Sequence, residues 1–154
     1  MRSILGEIVS EAEDVTVMDM EASIEHLSRG TVRHVDALLV VTEPYYRALE
    51  TARRTAPLAR GLGINNIFAV ANKLRSAEDE QAVRDFCRHH GLEIIAAIPF
   101  DQNVTQADLR GQSLIDFKPD APLVAEVTRL AATLRERALN HGSSADKFLS
   151  KPNC

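Results

Sequence analysis

Residues 15–30 read VTVMDMEASIEHLSRG, and the fold that the sequence predicts is organised around them. The first four, VTVM, suit a buried strand, which ends in the carboxylates of Asp19 and Glu21. Parallel strands of an open α/β sheet present their C-terminal ends to the ligand crevice, so acidic residues there indicate a binding site. The alternative is an ordinary polar strand end with no role in binding.

Strand and helix patterns alternate along the rest of the chain. Apolar runs at 37–42 (ALLVVT), 66–72 (NIFAVAN) and 93–98 (EIIAAI) suit parallel strands covered on both faces. Helical patterns at 46–62 and 76–90 separate them. Four strands alternating with helices predict a three-layer α/β domain with a mainly parallel sheet.

The two ends of the chain are predicted to differ. Residues 2–13 have apolar side chains at helical spacing, which predicts an amphipathic helix against the sheet. Residues 122–139 predict a terminal helix, whereas 141–154 have no periodicity. We therefore expect a single domain over 1–140, followed by a mobile tail.

Composition and charge limit the possible partners. The 154 residues are 45% apolar and 26% charged, with a net charge of −4 and basic residues scattered along the chain. A nucleic-acid or anionic-membrane partner would favour clustered basic residues, so we expect neither. The N-terminus does not resemble a secretory signal, and no apolar run approaches the roughly 20 residues of a membrane span. A cytoplasmic protein is the simplest expectation.

The cysteines and histidines do not predict a metal site. Cys87 and Cys154 lie far apart, which indicates neither a disulfide framework nor a closed site. His89 and His90 adjoin Cys87, but helical phase points the cysteine inward and the histidines outward. Solvated surface histidines are therefore favoured over nickel or zinc ligands.

Distinctive residues also follow the later strands. Asn72 and Lys73 end the third strand, and Pro99, Phe100 and Asp101 end the fourth. Because the C-terminal ends of parallel strands meet at one edge, we expect both groups to converge there with the acidic pair after the first strand. The alternative is a set of ordinary strand-ending turns.

Five segments together resemble a known family. They are DMEASIEHLSRG, VDALLVVTEP, LARGLGINNIFAVANK, IPFD and ADLRGQSL, in this order and spacing. The set resembles the carbon monoxide dehydrogenase accessory ATPases, nickel-insertion maturation factors within the MinD/ParA-like class of P-loop nucleotidases. The resemblance extends to about Leu139, and its first segment is the most specific.

The resemblance implies roles for residues of the first segment. Asp19 would hold a magnesium ion through water, as the Walker B or switch II aspartate does in the family. Glu21 and Ser23 would belong to the switch II loop, where the family has glycine at the position of Ser23. That glycine lets a backbone N–H approach the γ-phosphate, so the serine departs from the pattern.

The resemblance also implies an adenine-binding edge. Asn72 would contact the base with an amide that both donates and accepts, and Lys73 stands beside it. Residues 99–101 would lie along the base, with Phe100 as the apolar side. An Asn-Lys pair also occurs in the guanine-reading motif of GTPases, but Arg75 stands where that motif needs an aspartate, which favours adenine.

The family's phosphate loop has no counterpart in this sequence. No GxxxxGK[ST] motif occurs, and the family's Cys-x-Cys metal motif is also absent, so the chain resembles a C-terminal portion. In this class the phosphate-loop strand lies between the first and second strands predicted here. We therefore expect either that these two strands close up or that another polypeptide fills the space.

Three functions remain open from the sequence. The first is a partial or degenerate ATP-binding maturation factor that uses ATP and magnesium but does not hydrolyse ATP alone, because the missing loop supplies the largest electrostatic contribution to phosphoryl transfer. The second is a non-catalytic module that pairs with a full-length ATPase or a carbon monoxide dehydrogenase subunit. The third is a gene fragment without a role of its own. The resemblance also implies a homodimer, and nickel is not expected to bind.

Overall fold

A computed structural model describes residues 15–20 and 35–145 of the chain. The described part contains a parallel sheet with the strand order β1-β2-β3. Its strands are β1 (Leu38–Thr42), β2 (Ile67–Leu74) and β3 (Glu93–Pro99).

Helices join and follow the strands. They are α1 (Tyr46–Gly61), α2 (Ala77–His89), α3 (Gln102–Asp108), α4 (Leu114–Phe117) and α5 (Pro122–Ala145). Parallel neighbours need a crossover connection, and α1 and α2 supply it between consecutive strands.

The sheet has helices on both faces. Helices α1 and α2 pack on one face, where the core consists mainly of small and β-branched side chains: Val40, Leu49, Ala52, Ala56, Ala59, Ile67, Ala69, Ala71, Val83 and Cys87. Phe68 alternates with these β2 residues and so points to the other face, where the guanidinium of Arg137 from α5 lies 4.8 Å from its ring centre. The predicted three-layer α/β fold is therefore confirmed.

Helix α1 begins where the sequence predicted, although it contains a proline. A proline inside a helix usually kinks or breaks it, but one continuous helix that includes Pro57 runs from Tyr46 to Gly61. Pro57 lies on the exposed side. Leu49, Ala52, Ala56 and Ala59 form the buried face of the helix, whereas Leu62, at the C-cap, is only partly buried.

The main difference from the sequence-based prediction concerns the first strand. Residues 15–20 adopt no regular secondary structure, and Val15 and Val17 are 76% and 87% exposed. A strand exists only where a neighbouring backbone accepts and donates its hydrogen bonds, and apolar composition does not supply that neighbour. The prediction of a buried strand at 15–18 is therefore wrong. Within the described ranges these residues do not pair with β1, so the two predicted strands are not neighbours in the sheet. The predicted N-terminal helix lies outside the described residues.

The C-terminal part differs from the prediction in its boundaries. Helix α5 continues to Ala145, past the predicted end, and residues 146–154 are outside the described part. Helix α4 lies in a predicted loop, where the Ser113 hydroxyl accepts the Asp116 N–H at 3.2 Å. None of the described helices combines the length and apolar content that crossing a bilayer requires.

Candidate functional site

The C-terminal ends of β2 and β3 meet at one edge of the sheet. Leu74 and Pro99 are partners in the register, and the backbone N–H of Phe100 donates to the Leu74 carbonyl at 2.8 Å. These contacts bring the Asn-Lys pair beside the Pro-Phe-Asp segment. Two of the three residue groups singled out in the sequence therefore share one edge. We call these two groups, Asn72 with Lys73 and residues 99–101, the strand-end site.

Asn72 is fixed at this site by its own neighbour. Its Oδ1 accepts the backbone N–H of Lys73 at 2.9 Å. Lys73 has a φ of +56°, in the left-handed region that non-glycine residues rarely adopt. This bond uses one of the two lone pairs of the Asn72 amide oxygen and fixes the direction of its NH₂ group, which donates no hydrogen bond to another described residue. The expectation that this amide both donates to and accepts from a base stays a prediction.

The Lys73 side chain ties two strands together. Its Nζ lies 2.6 Å from Glu43 Oε1, which follows the end of β1. The Lys73 ammonium, which was expected beside the adenine base, is thus paired with the carboxylate of Glu43, the residue that follows the neighbouring strand β1. Glu43 was not among the predicted site residues, although an acidic residue between a strand end and Pro44 was a visible signal.

Two buried oxygens at the strand ends have no hydrogen-bond partner among the described residues. Asp101 Oδ1 accepts the N–H of Asn103 at 2.8 Å and caps α3, whereas Asp101 Oδ2 is unpaired. The hydroxyl of Thr42, which is 2% exposed at the end of β1, is unpaired as well. An unsatisfied buried polar group typically costs about 1–3 kcal/mol. A ligand that donates a hydrogen bond to Asp101 would remove that cost.

Phe100 provides an apolar face beside these polar groups. The residue is 37% exposed, and the Arg75 guanidinium carbon lies 3.7 Å from the centre of its ring. With the amide donor of Asn72 and the free oxygen of Asp101, the site combines a donor, an acceptor and an aromatic surface. This set fits a planar base that carries both hydrogen-bond donors and acceptors.

Only one of the three residues expected near magnesium, Asp19, lies in the described part of the chain. Asp19 is exposed and makes no hydrogen bond or ion pair with other residues in the described ranges. Glu21 and Ser23 lie outside the described residues. Their assignment to the switch II loop therefore stays a prediction.

A shallow groove lies elsewhere, along the outer edge of β3. It has a volume of about 410 Å³ and runs between α2 and α5 beside Ile94–Ala97. Arg84 and Arg129 line it, and they pair with Glu80 and Glu126 at 2.6 and 2.7 Å. Its charges are thus already neutralised in pairs, and none of the described side chains that line it has a buried polar atom without a hydrogen-bond partner.

Potential metal ligands do not cluster in the described part of the chain. Within residues 15–20 and 35–145, no three His, Cys, Asp or Glu side chains are arranged to hold an ion. Cys87 is fully buried in the core, and this burial raises the pKa of its thiol, because desolvation disfavours the thiolate. The ring centres of His89 and His90 are 5.0 Å apart, at the end of α2.

Comparison with known proteins places this geometry in context. The model of one family, described as 4Fe-4S iron sulfur cluster binding proteins of the NifH/frxC family, matches residues 33–142. The carbon monoxide dehydrogenase accessory protein CooC of Rhodospirillum rubrum is 40% identical over 77% of this chain and 44% of its own. An uncharacterized ATP-binding protein of Methanocaldococcus jannaschii is 36% identical over 74% of this chain and 44% of its own. The chain therefore spans less than half the length of these two relatives.

Solved structures agree with the fold. The MinD cell division protein of Aquifex aeolicus has a TM-score of 0.59 at 20% identity, covering 69% of this chain and 46% of MinD. A ParA family ATPase of Chlorobium tepidum has a TM-score of 0.54 at 23% identity, covering 68% of this chain and 43% of that one. The α/β arrangement is thus that of the MinD/ParA P-loop ATPases, as the resemblance implied.

The iron–sulfur cluster in the family description does not fit the described residues. Such clusters are usually held by four cysteine thiolates. The sequence has two cysteines, and Cys87 is enclosed in the core between α2 and the sheet. Its thiol is therefore not available to a cluster at the surface.

Proposed function

The chain belongs to the NifH/frxC family, and on that premise we propose that it is a partial ATP-binding maturation factor, related to the nickel-insertion ATPases of carbon monoxide dehydrogenase. Five short segments predicted that the chain is related to the carbon monoxide dehydrogenase accessory proteins. The 40% sequence identity with CooC confirms this relation. In this proposal the chain binds the adenine base at the strand-end site and does not hydrolyse ATP by itself.

The unpaired Asp101 Oδ2 is the observation that carries this proposal. A buried acceptor without a partner is tolerated where a ligand supplies the donor, and the exocyclic amine of adenine is such a donor. Asn72 would donate to a ring nitrogen, while Phe100 would lie against the face of the base. Pro99 would form part of the same surface, with Lys73 held beside it by Glu43.

Magnesium and the phosphates would require groups beyond this site. When bound, magnesium would neutralise charge on the phosphates, with Asp19 holding it through water and Glu21 and Ser23 in the adjoining loop. The 154 residues include no glycine-rich loop to surround the phosphates with backbone N–H groups. Binding without turnover is therefore the expected activity of this chain.

Equilibrium binding of a fluorescent ATP analogue with magnesium tests the base-binding site. We expect Asn72→Ala to weaken binding about three- to tenfold, the usual net effect of one hydrogen bond. Asn66→Ala is the matched control, because Asn66 lies before β2, at the opposite edge, and donates to the Asp36 carbonyl at 2.8 Å. No binding at high micromolar concentration by the folded chain would refute the proposal.

A second assay addresses hydrolysis. We expect purified protein to release no phosphate from magnesium-ATP above the background rate. Robust magnesium-dependent hydrolysis that disappears in Asp19→Ala would show that the chain is an ATPase on its own, and the proposed partial function would be wrong.

An alternative function, a non-catalytic protein-binding module, is favoured by the free edge of β1. In the described part of the chain β1 pairs with β2 alone, and Val41 is 60% exposed. The strand LLVVT carries no charge, proline or bulge that would prevent pairing with another strand. The partner would be a full-length ATPase, a second copy or a carbon monoxide dehydrogenase subunit. Aquifex aeolicus MinD, which shares the fold, has been solved in complex with MinC.

Complex formation without nucleotide tests this alternative. Light scattering after mixing with a full-length accessory ATPase should show a stoichiometric complex that Val41→Lys abolishes. Val127→Lys is the control, because Val127 is 43% exposed on α5, away from β1. Failure to associate with the ATPase, with the dehydrogenase and with a second copy of the chain would refute the module.

A further inference from the structure

The guanidinium of Arg75 lies over the ring of Phe100 at the strand-end site, and no part of the proposed function uses this contact. The guanidinium carbon is 3.7 Å from the ring centre. Within the described ranges no carboxylate pairs with this guanidinium and no acceptor takes a hydrogen bond from it. An exposed arginine could extend into water, so the aromatic ring is what holds this side chain in place.

The backbones of both residues are anchored independently of the ring contact. The N–H of Arg75 donates to Asp79 Oδ2 at 2.9 Å, just before α2 begins. The N–H of Phe100 donates to the Leu74 carbonyl at 2.8 Å. The stack therefore bridges the exits of β2 and β3, and its geometry is set by the sheet.

The contact occupies one face of the Phe100 ring. A planar base needs about 3.5 Å on each side, so it cannot enter a 3.7 Å gap between the guanidinium and the ring. Phe100 is nevertheless 37% exposed. A base that uses this aromatic surface would therefore stack on the face opposite Arg75.

We propose that Arg75 is a positioning residue that holds the Phe100 ring so that its free face stacks on the purine base of a nucleotide. The proposal rests on the proposed base-binding function and adds a residue to it. Cation–π attraction restricts rotation of the ring, and the planar guanidinium covers it more completely than an ammonium would.

A single tryptophan makes the stacking visible. The natural sequence has no tryptophan, so Phe100→Trp introduces one reporter at this position. We expect magnesium-ATP and adenosine to quench its emission. In this background Arg75→Ala should weaken binding about two- to fivefold, as expected for an exposed cation–π contact, and should lower the quenching at saturation. Arg75→Lys should restore only part of both, because an ammonium keeps the charge but covers less of the ring.

A similar pair elsewhere supplies the control. Arg110 lies 4.6 Å from the Phe117 ring centre, between α3 and α4. The Phe117→Trp variant, alone or with Arg110→Ala, should show no nucleotide-dependent change in emission. Equal quenching in the Phe117→Trp and Phe100→Trp variants would refute the assignment, because the ligand would not be specific to the strand-end site.

Calorimetry on the natural chain separates the two proposals. If ATP binds but the emission of the Phe100→Trp variant does not change, or Arg75→Ala alters neither affinity nor quenching, then the role of Arg75 is refuted and the base-binding function stands. If neither ATP nor adenosine binds to the folded chain, both proposals are refuted.

Discussion

Lys73 shows how single residues shape the strand-end site. Its left-handed backbone turns its N–H toward Asn72 Oδ1, while its side chain reaches Glu43. A lysine in this conformation is strained, and such strain persists only where the surroundings determine the backbone. One strained residue thus fixes the amide of Asn72 and joins β1 to β2.

We expect Lys73→Gly to be more stable than Lys73→Ala by about 1 kcal/mol. Both substitutions remove the ion pair with Glu43, but glycine adopts a positive φ without strain. Urea denaturation of the two variants measures the difference. In an ordinary strand alanine is favoured over glycine, so equal stability or the ordinary order would mean that position 73 is not strained in the folded protein.

At the scale of elements, the start of α2 links helix capping to the site. The Ser76 hydroxyl accepts the Asp79 N–H at 3.2 Å, and Asp79 in turn accepts the N–H of Arg75. The first bond satisfies a donor that the first turn of a helix otherwise leaves free, and the second ties the residue before the cap to that turn. It also fixes the backbone from which the Arg75 side chain extends toward Phe100.

Loss of the α2 cap should destabilise the protein. We expect Ser76→Ala to lower the free energy of unfolding by about 1 kcal/mol, because the Asp79 N–H loses its acceptor. Urea denaturation provides the measurement. Ser113→Ala, at the cap of the four-residue helix α4, is the control and should have a smaller effect, since fewer residues depend on it. The opposite order would show that α2 does not depend on its cap.

A second contact between elements predicts a pH dependence. Arg137 of α5 donates to Glu93 Oε1 of β3 at 2.6 Å, and this hydrogen bond lowers the pKa of Glu93 below its ordinary value of 4.5. Since the folded state favours the ionised carboxylate, the stabilisation is present above pH 4.5 and is lost as the pH falls through the lowered pKa. Both side chains are partly exposed, so its size is below about 1 kcal/mol.

Glu93→Gln should therefore reduce the free energy of unfolding slightly at pH 7, and the difference from the natural protein should shrink below pH 4.5. Urea denaturation across this range tests the prediction. Added salt at about 1 M should weaken the effect at pH 7, because it screens exposed charges. A difference that grows toward low pH would contradict the assigned direction.

At the scale of the whole molecule, alanines allow the helix layer to lie close to the sheet. Ala52, Ala56 and Ala59 of α1 are almost completely buried in the same core as Ala69 and Ala71 of β2. Small side chains leave little volume between the layers. The core is therefore sensitive to added volume.

We expect Ala69→Leu to destabilise the protein by about 1–3 kcal/mol, because the larger side chain must displace the packed helix layer. Ala125→Leu is the matched control, since Ala125 is exposed on α5 and the same change there should have little effect. Thermal or urea denaturation of both variants gives the comparison. A tolerated Ala69→Leu would mean that the layers separate easily.

Several features of the fold and the site could be predicted without a structure. Apolar runs and helical spacing located β1, β2, β3, α1 and α2. Asn72 and Asp101 were singled out because both follow strand ends, which a parallel sheet brings to one edge. These are local signals, and they persist because each depends on a few neighbouring residues.

The sequence by itself determined the α/β class, most element boundaries and the order in which polar groups follow the strands. Only the tertiary structure decided that Lys73 pairs with Glu43, that Asp101 keeps an unpaired oxygen and that Arg75 stacks on Phe100. It also decided that residues 15–18 do not form a strand. The physical reason is the same in each case: hydrogen bonds, ion pairs and stacking between distant segments depend on which backbones become neighbours, and local composition does not specify that.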